Sequence, residues 1–321
     1  MTCRLEPRFK RNGNVPAPEF KKDSNFQEAD NAEPPMGSLS IVALLYGPDQ
    51  PGLVARVSGW IFENGGNILH ADQHQDGEQN IFFQRVEWSQ PGNVAEIRRK
   101  ADAFAGMARE KLGMTARLAI SHEIPRMVAL VSKIPHCLQD LAYRSQRGEI
   151  RGNLVCVMSN ATDLQGFCAS LSLPFHHVEG NTCDKKGPEN ALLEILRMYR
   201  VDLLVMARYA QMLSSEFLQS VRVPVINVHH SFLPAFPGGR AYQQAHARGV
   251  KLIGATAHYA TPEQDKCPII AQDMVRISHR DTVADLIAKG RDLEQLVLAQ
   301  AVRWHLENRV LVYNSKTVVF D

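Results

Sequence analysis

The chain has 321 residues, 45% of them hydrophobic and 22% charged, which is more than one average domain and enough apolar material for real cores. Lys and Arg number 36 against 34 Asp and Glu, so no strong net field attracts nucleic acid or a membrane surface. Cys3, Cys137, Cys156, Cys168, Cys183 and Cys267 form no CxxC pair, and no apolar run reaches the roughly 20 residues of a membrane span, which points to a reducing, cytoplasmic setting and small-molecule partners.

Residues 1–37 are polar, carry Pro16, Pro18, Pro34 and Pro35, and predict a disordered tail. Arg4, Arg8, Lys10 and Arg11 leave a targeting peptide open, against which stand Glu6, Glu19, Asp23, Glu28 and Asp30. From residue 38 the pattern is regular. An apolar strand at 41–45 turns at Gly47, Pro48 and Asp49 into a helix with Leu53, Val54, Val57, Trp60 and Ile61 at helical spacing. Gly65, Gly66 and Asn67 stop that helix, strands at 68–73 and 81–88 flank a turn at Asp76 and Gly77, and a helix at 94–112 precedes a strand at 115–120. This is a βαββαβ unit, assigned to a domain of residues 38–122.

A connector at 121–125 leads to a second domain, 125–321, in which strands at 127–131, 154–158, 201–206 and 223–228 alternate with helices near 138–144, 164–171 and 191–199. Near-continuous apolar strands with helical crossovers predict a mostly parallel, Rossmann-like sheet covered on both faces. A closing helix at 283–307 carries Leu286, Ile287, Leu293, Leu296, Val297, Ala301 and Val302 at core spacing.

Polar residues concentrate where the strand at 223–228 ends, which is where open parallel sheets bind ligands. The strand period of two puts Asn227 and His229 on one face. Acyl transfer from an amide-like formyl group needs a donor for the developing oxyanion, a proton shuttle, and a group that orients the nucleophile. Asn227, His229 and Asp265 supply those types, and a carboxylate at Asp265 beside His229 is expected to raise the imidazole pKa. Taken alone the trio also reads as a turn cap, half-buried core histidines and a solvated acid. A metal site from His229, His230, His258 and Asp265 is disfavoured because adjacent strand residues face opposite ways.

The segment from Asn227 to Tyr259, NVHHSFLPAFPGGRAYQQAHARGVKLIGATAHY, resembles the signature of the folate-dependent formyltransferase family, and most closely its branch that hydrolyses 10-formyltetrahydrofolate. The resemblance implies that Asn227, His229 and Asp265 are catalytic, with folate and water as partners and no metal or separate cofactor. The implied product, formate, would feed purine synthesis and balance one-carbon pools. Two departures stand out. Cys267 replaces the usual glycine after the acid, which raises the expectation of loop strain, and GGRAY at 238–242 differs from the usual loop.

The stretch MARYAQMLS at 206–214 resembles the element that lines the pterin pocket, which makes Arg208, Tyr209, Gln211 and Leu213 candidates for folate contact. His258 is expected to support Asp265 or the folate tail, a core histidine being the other reading. LVSKIPHCLQDL at 130–141 resembles the first strand and loop of the hydrolase branch, with Lys133 and His136 as further binding candidates and Cys137 packed. Family members that formylate a phosphorylated amine normally carry a glycine-rich phosphate cradle there. Residues 132–137 contain no glycine, and Pro135 lacks an N–H, which favours water as acceptor.

The βαββαβ unit resembles an ACT domain. The turns GPDQPGLVARV and NGGNIL make Asp49, Gly52, Leu53, Asn67 and Ile68 candidates for an effector between paired subunits. The family implication is glycine and methionine as effectors and a homo-oligomer, dimer or tetramer. A formyltransferase acting on an amine and a non-catalytic amino-acid-binding protein remain the alternatives to a hydrolase.

Overall fold

The computed structural model describes residues 39–180, 185–233, 241–263 and 267–320. The expected tail at 1–37 and the acid Asp265 both lie outside the described residues.

The first unit runs β1 (Leu39–Pro48), α1 (Leu53–Glu63), β2 (Asn67–Asp76), β3 (Ile81–Gln90), α2 (Val94–Leu112) and β4 (Thr115–Ile120). Its strands form one antiparallel sheet in the order β2-β3-β1-β4. Helix α1 starts at Gly52, whose φ of 83° is open to glycine at no steric cost, and buries Leu53, Val57 and Ile61 at every fourth residue. Val54 lies off that stripe and is 39% exposed. A reciprocal capping box between Asn93 and Glu96 starts α2, and Gly113 ends it. Both helices cover one sheet face, where Trp88 packs 5.0 Å from the Phe104 ring. Gly66 permits that packing, because a Cβ there would stand 2.6 Å from the Trp88 ring.

The second unit contains β5 (Arg126–Val131), α3 (His136–Gln146), β6 (Asn153–Ser159), α4 (Gln165–Ser170), β7 (Phe175–His177), α5 (Lys186–Met198), β8 (Leu203–Met206), α6 (Ser215–Ser220), β9 (Val225–His229), α7 (Ala241–Ala247), β10 (Leu252–Tyr259), β11 (Ile269–Arg276) and α8 (Val283–Leu306). Its seven strands run in the order β11-β10-β9-β8-β5-β6-β7. The block from β9 to β7 is parallel, as the apolar strands predict, while β10 and β11 add antiparallel strands at one side. The strand order reverses between β5 and β8. Such a switch opens a crevice beyond the carboxyl ends of the strands, and the segments after β5, β8 and β9 all emerge there.

Helix α8 packs on β9, β10, β11 and α3. Leu286, Leu293, Val297, Ala301 and Val302 are buried as expected, whereas Leu296 is 53% exposed. The helix turns 100° per residue, and Leu296 falls three residues after Leu293 on the outer edge of the stripe.

A short hairpin, β12 (Val310–Tyr313) and β13 (Lys316–Val319), follows α8 and packs Leu311 and Phe320 against Leu44 and Phe83 on the other face of the first sheet. Arg85, 7% exposed on β3, reinforces this junction. Its Nε donates to the Asn308 carbonyl at 3.1 Å, and its Nη2 donates to the Glu307 carbonyl at 3.3 Å and to Glu87 Oε2 at 3.0 Å. The cation thus satisfies carbonyls at the negative end of α8. Arg85→Met is expected to cost about 2–3 kcal/mol in urea unfolding, because two carbonyls and Glu87 lose their donor together. A loss under about 0.5 kcal/mol would show that the hairpin alone holds the junction.

Candidate active site

Asn227 and His229 are half-buried on one face at the end of β9, with Ile226 and Val228 turned into the core. Across the antiparallel ladder Asn227 stands opposite His258 and His229 opposite Thr256. His258 is 7% exposed, and its Nε2 lies 3.2 Å from Asn227 Nδ2, its Nδ1 3.1 Å from the Tyr259 carbonyl. A carbonyl only accepts, so Nδ1 carries the proton and Nε2 is the acceptor for the Asn227 amide. The opposite orientation of the carboxamide would set its oxygen against a lone pair. His258 therefore fixes the donor end of Asn227. Neither of the two roles expected for His258, support of Asp265 or of the folate tail, is what this contact provides.

The loop after β9 is pinned by Thr256, which is fully buried. Its Oγ1 donates to the Ser231 carbonyl at 2.9 Å, accepts from Leu233 N–H at 3.1 Å, and accepts from Gln272 Nε2 at 2.9 Å. A hydroxyl that both donates and accepts holds both backbone polarities of a tight turn. Thr256→Val keeps the shape and removes those bonds. It is expected to destabilise the chain by about 1–3 kcal/mol and to lower activity with it, measured by thermal unfolding and turnover on the same preparation.

His229 Nε2 is buried and has no hydrogen-bond partner among the described residues. The His229 pKa is pushed down from 6.5 to about 4, first by burial, then by His230, His258 and Arg208, with Glu294 opposing. The rise expected from Asp265 rests on a residue outside those described; among the described groups, loss of solvation outweighs the anionic influence of Glu294 at this imidazole. The ring is neutral across ordinary pH and presents an unsatisfied nitrogen on the Asn227 face.

Behind it lies a buried ionic group. Glu294, 1% exposed on α8, accepts from His136 Nε2 at 2.8 Å and from Tyr242 Oη at 3.0 Å, and Arg208 Nε lies 3.3 Å from Oε2. Despite burial, these partners hold its carboxyl below the ordinary value. His136, Cys137 and Glu294 place ligand atoms within 4.8 Å of one another. Arg208 already supplies the positive charge, and burial pushes the Cys137 thiol far up, so the group is an ion pair network and a poor cation site.

The binding candidates separate accordingly. Arg208, half-exposed, and His136 turn to Glu294, and Leu213, 8% exposed, packs with Leu192 and Phe217 in the core. Tyr209 and Gln211 stay half-exposed, joined at 3.0 Å, with burial and Glu189 raising the phenol pKa to about 12. Lys133 is exposed. Cys267 is half-buried just before β11. Its thiol lies 3.7 Å from Thr261 Oγ1, and hydrogen bonding to His258 and Thr261 offsets burial and lowers its pKa.

The effector candidates fall into two sets. Pro48 pairs with Ile81, whereas Asn67 and Ser40 both pair with Ser89, so Asp49, Gly52 and Leu53 sit at one end of the sheet and Asn67 and Ile68 at the other. Leu53 is buried in the core, and Asp49 Oδ2 accepts from Gln75.

Sequence reasoning missed Glu294, Tyr242, Thr256 and Gln272. Glu294 had a readable signal, a carboxylate on the apolar stripe between Leu293 and Val297.

The parallel block, the crevice at its switch and the polar strand end define the formyl transferase class, and a family profile described as formyl transferase matches residues 125–302. A formyltetrahydrofolate deformylase of Synechocystis sp. is 47% identical over 286 residues, covering 89% of this chain and 100% of that protein. One from Bacillus subtilis is 43% identical over 85% of this chain and 91% of its own length. The crystal structure of a formyltetrahydrofolate deformylase from Pseudomonas syringae pv. tomato superposes with a TM-score of 0.83 at 38% identity, covering 89% of this chain and 96% of that one. The chain belongs to the formyltetrahydrofolate deformylase family.

Proposed function

We propose that the chain hydrolyses 10-formyltetrahydrofolate to formate and tetrahydrofolate. The observation that carries this reading is one strand end that offers, on the same face, a locked carboxamide donor and a neutral imidazole nitrogen with no partner among the described residues. Water attacks the formyl carbon while His229 takes its proton, and the carbonyl electron pair moves onto oxygen. The second Nδ2 hydrogen of Asn227 donates to that oxyanion. Collapse of the adduct breaks the bond to N10, which receives the proton from His229, and formic acid leaves as formate and a proton. Asp265, outside the described residues, is assigned to orient the water. Tyr209 and Gln211 are the contact candidates whose exposure suits folate binding.

Water is favoured as acceptor because α3 begins at His136 directly after Pro135, without a glycine-rich cradle for a phosphate. The test is incubation of the purified chain with 10-formyltetrahydrofolate and no amine. Equimolar formate and tetrahydrofolate are expected, and Asp265→Ala is expected to abolish the release. Formyl transfer only after an amine is added would make the chain a transferase. Folate binding without turnover in either case would leave a binding protein.

The first sheet and its helices fit an ACT-type regulatory unit for small amino acids such as glycine and methionine. Because its candidate residues sit at opposite ends of one sheet, a single ligand reaches both sets only across paired subunits, which favours a homo-oligomer. Sedimentation with and without glycine or methionine tests this. A cytoplasmic location fits cysteines without a disulfide pattern, and no described helix is long and apolar enough to cross a membrane.

A further inference from the structure

The inward stripe of α8 is apolar except for Glu294, and a carboxylate at 1% exposure persists only with its charge and lone pairs satisfied. Its three partners come from three separate segments: His136 from α3, Tyr242 from α7 and Arg208 from the loop after β8. Two of them need special backbone. Arg208 has a φ of 67°, a left-handed conformation disfavoured for arginine, and it keeps that conformation while its guanidinium meets Glu294. Gly290 lies one turn before Glu294, and a Cβ there would stand 2.0 Å from Tyr242 Oη, so a glycine is what lets the phenol reach the carboxylate. From Tyr242 the contact continues to His230, whose ring is 5.8 Å away, and on to the His229 ring at 5.0 Å from His230.

We propose that Glu294 is a positioning residue for the formyl-folate hydrolysis assigned to this site: it ties Arg208, His136 and Tyr242 into one wall beside His229 and balances the guanidinium charge there, without touching folate or water. Among the described residues, the charged and titratable groups acting on His229 are His230 from its own strand end, His258 from β10, Arg208 from the loop after β8 and Glu294 from α8. Those acting on Glu294 are His136, Arg208 and Tyr242, and the protonated Cys137 thiol beside it adds no charge. Arg208 and Glu294 act on the His229 imidazole with opposite sign. Removing either one alone therefore shifts the ring, and removing both restores the balance.

Glu294→Gln keeps the shape and removes the charge. Formate release is expected to fall at least about tenfold in kcat with KM within about threefold, since the wall acts on the reacting geometry. Followed by histidine NMR, the His229 titration midpoint moves below the wild-type value in Glu294→Gln and above it in Arg208→Gln. In the double variant it returns to within about half a pH unit of wild type. Opposite shifts that cancel are what charge balance produces and a purely structural role does not. Should Glu294→Gln fail to fold, Tyr242→Phe removes one hydrogen bond and no charge, with kcat expected to fall about three- to tenfold at unchanged KM. Midpoints that stay put or move in the same direction, or wild-type kcat in either variant, overturn the proposal. If the wild type releases no formate, the hydrolase reading fails by itself, and the His229 midpoints still decide the role of Glu294.

Discussion

Asn227→Ala is expected to lower kcat about 100- to 1000-fold, with KM for the formyl folate changed by less than about threefold. The formyl oxygen gains its full negative charge only as water adds, so a donor aimed at it stabilises the transition state more than bound substrate. Asn227 Nδ2 has two hydrogens, and His258 Nε2 takes one at 3.2 Å, which leaves the other directed by a rigid frame. That frame is made before substrate arrives, so no reorganisation is required as charge develops. Asn227→Asp should be at least as damaging, because a carboxylate repels the oxyanion and also faces the lone pair of His258. His258→Phe removes the frame and keeps the donor, and about a tenfold loss is expected there. If Asn227→Ala turns over within about tenfold of wild type, the oxyanion is stabilised elsewhere and the strand end is not the reacting centre.

How far this site was legible in the sequence depended on which interactions were local. Asn227 and His229 were readable because a strand period of two puts them together whatever the tertiary structure. The first unit was readable for the same reason: Leu53, Val57 and Ile61 mark a helical stripe, and Gly65, Gly66 and Asn67 mark its end. Some of the shortest elements were not readable. β7 has three residues, and α4 and α6 have six each, of which only α4 was anticipated, since so few residues show no period. β11 carries Gln272, Asp273 and Arg276, which hide its strand character until β10 supplies the pairing. The tuning of the site was least visible. The direction of the His229 shift depends on burial, and Glu294, Tyr242 and Arg208 arrive from distant segments. A sequence displays the reacting groups before it displays the surroundings that set their chemistry.

Those surroundings give the remaining large effect its pH signature. His229→Gln is expected to reduce kcat by about 100- to 10,000-fold, the range for losing a positioned acid–base group. With the wild-type imidazole held at about 4, its neutral, proton-accepting form dominates throughout the neutral range. Wild-type kcat/KM should therefore show no His229-dependent limb between about pH 5.5 and 8, where a histidine at the ordinary value of 6.5 would impose about a tenfold change. Activity then declines only as pH falls toward 4 and the ring takes up its proton. The same depression bears on stability. His305, beside Tyr259 Oη at 2.7 Å, is lowered to about 3 by burial and then by Arg117. Both rings bind protons more weakly folded than unfolded, so stability is full above about pH 6.5 and is lost as pH falls toward the folded values. The slope is at most about 1.4 kcal/mol per pH unit for each ring. Urea midpoints measured from pH 7 to 4 should fall in the wild type, and fall less steeply in His229→Gln. A limb in kcat/KM centred near 6.5 that disappears in His229→Gln would mean the imidazole keeps its ordinary basicity. If activity rises through it, His229 is still the base but is not depressed, and if activity falls through it, the neutral-base mechanism has to be replaced by one that starts from imidazolium.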